Sequence, residues 1–210
     1  MKKGKVVFFK GSFEEDAPSR GLLLFNDGGS YEGKFDQGKP HGKGTFYGDG
    51  RKATWDGSWN HGKMHGSGIY FFENGDSLAA IMEDGKLHGK CVFNSFKSNT
   101  RISGEWSYGV RHGQFTISFP DRSYCTLAYV NGVKQGECIF YDQTNKQVAA
   151  GNFMNDIFHG VGRFVFDDHS WYYGKVENNA YEGYGEYHFD SLHVVMSRYH
   201  QNERQGPKQD

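Results

Sequence analysis

Y-E-G-K-F-D-Q-G-K-P-H-G-K-G-T-F-Y-G-D-G, residues Tyr31 to Gly50, carries the reading on which the fold turns. Tyr31, Gly33 and Phe35 share one parity, while Glu32, Lys34 and Asp36 share the other. Past the short segment Gln37-Gly38-Lys39, the glycines Gly42 and Gly44 fall in phase with Phe46. Period-two alternation on both sides of a glycine-containing segment predicts a β-hairpin with one face of rings and glycines and one of charge. The pairs Asp27-Gly28, Asp49-Gly50 and Asn74-Gly75 suit tight returns from one hairpin to the next.

Working outward, Trp55 to Gly75 reads W-D-G-S-W-N-H-G-K-M-H-G-S-G-I-Y-F-F-E-N-G and repeats the frame. The glycine after the histidine position recurs at Gly42, Gly66, Gly89, Gly113, Gly136, Gly160, Gly183 and Gly206, always 23 or 24 residues apart. Gly21, 21 residues before Gly42, marks a degenerate first copy beginning at Phe9. At the other end Val195, Ser197, Tyr199 and Asn202 stand for Tyr31, Gly33, Phe35 and Gly38. Such a period marks a repeat protein whose units are stable only when stacked.

Glycine within a strand costs roughly 0.5–1 kcal/mol relative to alanine, so its repeated use needs a reason. Lacking a side chain, it lets a neighbouring ring lie across the backbone and cover a sheet that has no second layer. The expectation is all-β: an elongated single-layer antiparallel β-meander of about nine stacked 23-residue hairpins. At about 10 Å per repeat it would reach roughly 85 Å. Residues 1–210 are expected to form a single sheet. Residues 9–206 hold the repeats, 1–8 form an edge strand or cap, and 192–210 form the degenerate last repeat and a polar tail. Lys2, Lys3, Lys5 and Lys10 would protect the first edge, and pairing of edge strands would offer a homodimer.

Composition narrows the function. Glycine numbers 30 of 210 residues and aromatics make up 17%, with only four prolines, which excludes a collagen helix and fits many short strands joined by turns. With 24 basic and 25 acidic residues scattered along the chain, no basic stripe marks a nucleic-acid binder. The apolar run Val6–Phe9 is too short for the core of a secretion signal, and no stretch reaches the length of a membrane helix. Cys91, Cys125 and Cys138 are odd in number and lack C-x-x-C spacing, so a reducing cytoplasmic compartment is expected.

The frame aromatic-x-G-x-aromatic-x-x-G-x-x-H-G-x-G, seen in Tyr31–Gly44 and Trp55–Gly68, resembles the MORN (membrane occupation and recognition nexus) repeat family over almost the entire chain. The resemblance implies a scaffold in a cytoskeletal, ciliary or membrane-contact assembly. The expected partner is a protein helix or extended peptide lying along an aromatic groove built from Tyr31, Phe35, Trp55, Trp59, Tyr70, Trp106, Phe115, Phe153 and Phe164. Attachment to anionic phospholipid is the alternative, and a self-associating spacer a third. The fourth to sixth copies depart from the frame. Cys91, Phe115 and Cys138 replace the second glycine, Ala80 and Leu127 replace a strand glycine, and Leu78, Ile102 and Cys125 replace the leading ring. A different groove surface is expected there.

No chemistry emerges from the motifs, and neither catalytic residues, cofactor nor metal is expected. Gly33-x4-Gly38-Lys39 imitates a phosphate-binding loop, but Pro40 stands where Ser or Thr must hold magnesium. His41, His65, His88, His112 and His159 share one repeat position, which spaces them about 10 Å apart and argues for turn residues bonded to backbone. Neither G-x-S-x-G nor H-E-x-x-H occurs.

Overall fold

The structure, a computed structural model, describes residues 5–48, 53–165, 170–189 and 193–205. Lys2, Lys3, Asp49-Gly50, Gly206 and the rest of the tail lie outside the described residues. The chain is all-β, an antiparallel meander with no helix among the described residues. It divides into two compact units, residues 1–96 with 105–110 and residues 97–104 with 111–210.

The first unit contains β1 (Val6–Glu14), β2 (Ala17–Phe25), β3 (Ser30–Asp36), β4 (Lys39–Tyr47), β5 (Ala53–Asn60), β6 (Lys63–Phe71), β7 (Ser77–Glu83), β8 (Lys86–Leu87) and β9 (Gly89–Asn94). Strands β10 (Arg101–Ser107) and β11 (Val110–Ser118) contribute residues to both units. The second unit continues with β12 (Tyr124–Val130), β13 (Val133–Lys134), β14 (Gly136–Tyr141), β15 (Gln147–Met154), β16 (Ile157–Val165), β17 (Trp171–Glu177), β18 (Ala180–His188), β19 (Val194–His200) and β20 (Glu203–Gln205). Within each unit the strands pair in chain order, so nearest neighbours in sequence are nearest neighbours in the layer.

Each hairpin turns on two residues with positive φ, from Glu15-Asp16 and Gln37-Gly38 through His61-Gly62 to Gln201-Asn202. Two such residues make the primed turn whose twist matches that of the flanking strands. In the β3–β4, β5–β6 and β17–β18 hairpins the second strand then carries a bulge, whereas β15 and β16 pair without one. Gly33 faces Gly44 while Phe35 faces Pro40, so β4 has two more residues than β3 between those pairs. Gly42, at φ +66°, sits in that bulge and absorbs the kink without a Cβ clash.

The bulge corrects the register of the first copy. Gly21 faces Gly11 as Gly44 faces Gly33, so its counterpart is Gly44, 23 residues on, and not Gly42. Phe13 faces Pro18, which leaves β2 one residue in excess instead of two. The first hairpin lacks the bulge glycine, and its spacing looked short for that reason.

The core is made of rings lying over glycines. A Cβ on Gly33 would stand 2.6 Å from the Tyr31 hydroxyl oxygen, and one on Gly57 the same distance from Trp55 Cζ2. Tyr31, Trp55 and Tyr172 have no exposed surface. In the first unit the rings continue edge to face, Phe9 on Phe35, Phe35 on Tyr31 and Tyr31 on Trp59, with centroids 5.1–5.4 Å apart. In the second unit Tyr172 covers Gly174 and Gly185 in the same manner, and Tyr199 packs edge-on against it at 5.3 Å.

Where the leading ring is missing, another supplies the cover. Ile102 takes the ring position before Gly104, and Phe115, standing at a glycine position of β11, lies over Gly104 instead. Before Gly151 the ring position holds Ala149, and Phe158 from β16 covers the glycine. The ring changes strand and the cover survives.

Candidate functional site

The nine rings expected to line a groove do not stand at one level of exposure. Tyr31, Phe35, Trp55, Trp59, Phe115 and Phe153 are buried in the layer's own packing. Trp59 also donates its indole N–H to Gly44 O at 2.8 Å, and Tyr31 its hydroxyl to Lys34 O at 2.9 Å. Tyr70, Trp106 and Phe164 remain partly accessible. A ring without accessible surface holds the sheet together and has nothing to offer a partner, which corrects the expectation for Tyr31 and Trp55. Only the partly covered rings keep appreciable accessible surface.

An apolar recess lies in the second unit, where the repeat departs from its frame. In the copies of Tyr31, Trp55 and Tyr172 one large ring spans two glycines. In β12 and β14 the ring position holds Cys125 and the glycine positions hold Leu127 and Cys138. Three medium side chains share the space and leave a cavity of about 290 Å³, walled by Phe140, Phe153 and Phe164. The thiols are free. A hydrogen bond with Cys125, together with burial, pushes the Cys138 thiol far up, so it stays neutral and unreactive.

Two cations border this recess. Lys134 Nζ lies 5.0 Å from the centre of the Phe153 ring. Arg163 stacks on Trp171 at 4.3 Å, binds the Asp121 carboxylate and donates to Ser123 Oγ at 2.9 Å. Burial works against the charge on Asp121, but hydrogen bonds from Ser123 and Arg163 outweigh it and hold the carboxyl below its ordinary range. Arg163 Nε is buried and makes no hydrogen bond to the protein. A second depression of about 300 Å³, bordered by Tyr124, Tyr141 and Trp171, shares Phe119, Phe140 and Arg163 with the first. Arg163 thus stands between two apolar hollows, held by a stack and an ion pair.

Along the hairpin turns runs a second recurrent feature. The second residue of a turn donates its N–H to a carbonyl one repeat earlier: Gly62 to Pro40 at 2.7 Å, Gly85 to Met64, Gly109 to Leu87, Gly132 to Arg111, Asp156 to Lys134, Asn179 to Phe158 and Asn202 to Tyr181. The next residue after each acceptor is the histidine position. His65 Nδ1 and His159 Nδ1 face the backbone N–H of Asp84 and Asn178 at 3.5 Å. The turn role expected for these histidines is visible there.

His41 departs from that pattern. His61 of the next turn meets it, with ring centroids 5.0 Å apart, and Asp36 stands beside both. Sequence reasoning compared histidines at one repeat position and so missed a pair from two positions. The signal was a separation of 20 residues, which the turn bond brings together. The imitation phosphate loop Gly33–Lys39 straddles the turn between β3 and β4.

A family model described as MORN repeat matches residues 31–50, 55–77, 82–97, 103–123, 150–171 and 172–193, together more than half of the chain. The interval 124–149 between two of these matches is the copy that bears Cys125, Leu127 and Cys138.

Proposed function

The chain belongs to the MORN-repeat family, and on that premise we propose that it is a non-catalytic scaffold that docks a helix or extended peptide of a partner protein. MORN repeats are generally protein- or membrane-interaction modules and not enzymes. The observation that carries the finer reading is the 290 Å³ recess among Phe140, Phe153 and Phe164 with Lys134 and Arg163 at its border. Concave apolar surface with a few placed polar groups is what anchors a large side chain of a partner. The two cations favour a segment in which a leucine or aromatic residue lies close to Asp or Glu. A cytoskeletal, ciliary or membrane-contact assembly is the setting this reading supports.

Selection from a displayed peptide library against the full chain tests it. Enriched peptides are expected to pair an apolar anchor with an acidic residue. Phe164→Ala is expected to weaken them about tenfold, near 1.4 kcal/mol. Lys134→Glu should weaken them further at low salt, with far-UV circular dichroism unchanged. Peptides that bind the Phe164→Ala chain as tightly as the parent would place the contact elsewhere and end this proposal.

A further inference from the structure

The bond from Gly62 N–H to Pro40 O lays the turn Asn60–Lys63 beside His41. His61 Nε2 then lies 3.1 Å from Asp36 Oδ2. One nitrogen of each imidazole and one carboxylate oxygen fall within 4.8 Å of one another, the only such three-donor group among the described residues. Asn60 Oδ1 sits 2.7 Å from His61 Nδ1. An amide oxygen only accepts, so Nδ1 carries the hydrogen and the lone pair of neutral His61 is on Nε2, aimed at Asp36. A lone pair and a carboxylate oxygen at that separation repel unless a cation stands with them. His41 Nδ1, the atom that in His65 and His159 faces a backbone N–H, is buried here and makes no hydrogen bond to the protein.

Other repeats place different residues at these three positions: Asn60, His65 and Asp84 in one, Glu83, His88 and Tyr108 in the next, Met154, His159 and Asn178 further on. Only the Asp36 copy brings two imidazoles to a carboxylate. We propose that Asp36, His41 and His61 form a zinc site that staples the turn after β3 to the turn after β5. Two imidazoles and one carboxylate suit zinc, whereas calcium and magnesium demand oxygen. The Asn60 bond to His61 Nδ1 is the outer contact that fixes the tautomer of a metal-binding histidine. Donor atoms around tetrahedral zinc stand about 3.3 Å apart, close to the His61–Asp36 separation. Asp36 and His61 are half exposed, which lets both close on the ion and leaves its fourth position to solvent.

The rival occupant is a proton, giving an ordinary His61–Asp36 ion pair, and calorimetry separates the two. Untagged full-length protein, stripped with a chelator, is titrated with zinc chloride. One zinc per chain is expected, with cobalt(II) giving visible d–d absorption at the same stoichiometry. His41→Ala and His61→Ala are each expected to weaken binding at least about tenfold, Asp36→Asn several-fold, and His65→Ala and His159→Ala not at all. Zinc should also raise the urea midpoint of the parent and leave that of His41→Ala in place. Absence of a saturable site at zinc concentrations up to about one hundred times that of the protein overturns the proposal. So does parent-like affinity in the His41→Ala/His61→Ala double variant, or displacement of zinc by millimolar calcium or magnesium.

Discussion

At the scale of single residues, ring and glycine are one unit of stability. Trp55 lies over Gly57 and Gly68 so closely that a Cβ on either would have to displace it. Gly57→Ala is therefore expected to cost about 1–3 kcal/mol through overpacking. Trp55→Leu is expected to cost about 3–5 kcal/mol, near the range for losing a buried ring. The double variant Trp55→Leu/Gly57→Ala should lose less than the sum by more than about 0.5 kcal/mol, because each change makes room for the other. Urea denaturation of the four proteins checks it, and strict additivity would mean that ring and glycine do not share space. The sixth copy has made this exchange with Cys125 and Leu127. The ring-over-glycine rule was legible in the sequence because it depends only on parity and on a missing side chain. The transfer of cover to Phe115 and Phe158 was not. It depends on which strand's ring reaches across, and that is settled by three-dimensional register.

At the scale of the hairpin, the turns were legible as glycine-bearing pairs and the bulge was not. A bulge leaves no mark in alternation when it adds two residues, since parity is restored after it. It became visible through the first copy, where β2 has one extra residue and the spacing to Gly42 shrinks to 21. Turns that end in Asn or Asp do more than turns that end in glycine. Asn179 donates its N–H to Phe158 O and accepts from Phe158 N–H through Oδ1 at 2.8 Å. Asn202 clasps Tyr181 in the same way, and Asp156 clasps Lys134. Asn179 also tolerates φ +63°, a conformation costly to alanine. Asn179→Ala is expected to lose about 2 kcal/mol, from the side-chain bond and the backbone strain together. Asn179→Gly, which loses the bond alone, should lose about 1 kcal/mol. Thermal and urea unfolding rank the two. Equal losses would show that the Oδ1 bond contributes nothing.

At the scale of the molecule, family and fold were legible because they rest on a period sustained over most of the chain. The apolar recess was only half legible. The substituted residues mark the copy in which it lies, yet Tyr31 and Trp55 look in sequence like partners for a ligand and are spent on the sheet. The His41–His61 meeting needed the turn bond between repeats before it could be seen. Charge gives a further expectation. With 24 basic and 25 acidic residues interspersed, the chain has no cluster of the size that holds a protein to anionic lipid. Co-sedimentation with phosphatidylserine vesicles should stay near background at both low and high salt. Strong retention that collapses as salt rises would favour the phospholipid alternative.

The turn-to-carbonyl bond has a last consequence, for how such a chain can change its length. Among the described residues seven turns, from His61-Gly62 onward, are fastened to an atom one repeat behind them, so a stray extra residue between acceptor and turn leaves the clasp out of reach. Duplicating or deleting a complete hairpin disturbs no clasp at all. The architecture admits growth only in whole steps, as a zip fastener gains teeth, and copy number becomes the variable through which descendants of this gene could alter reach while keeping chemistry fixed.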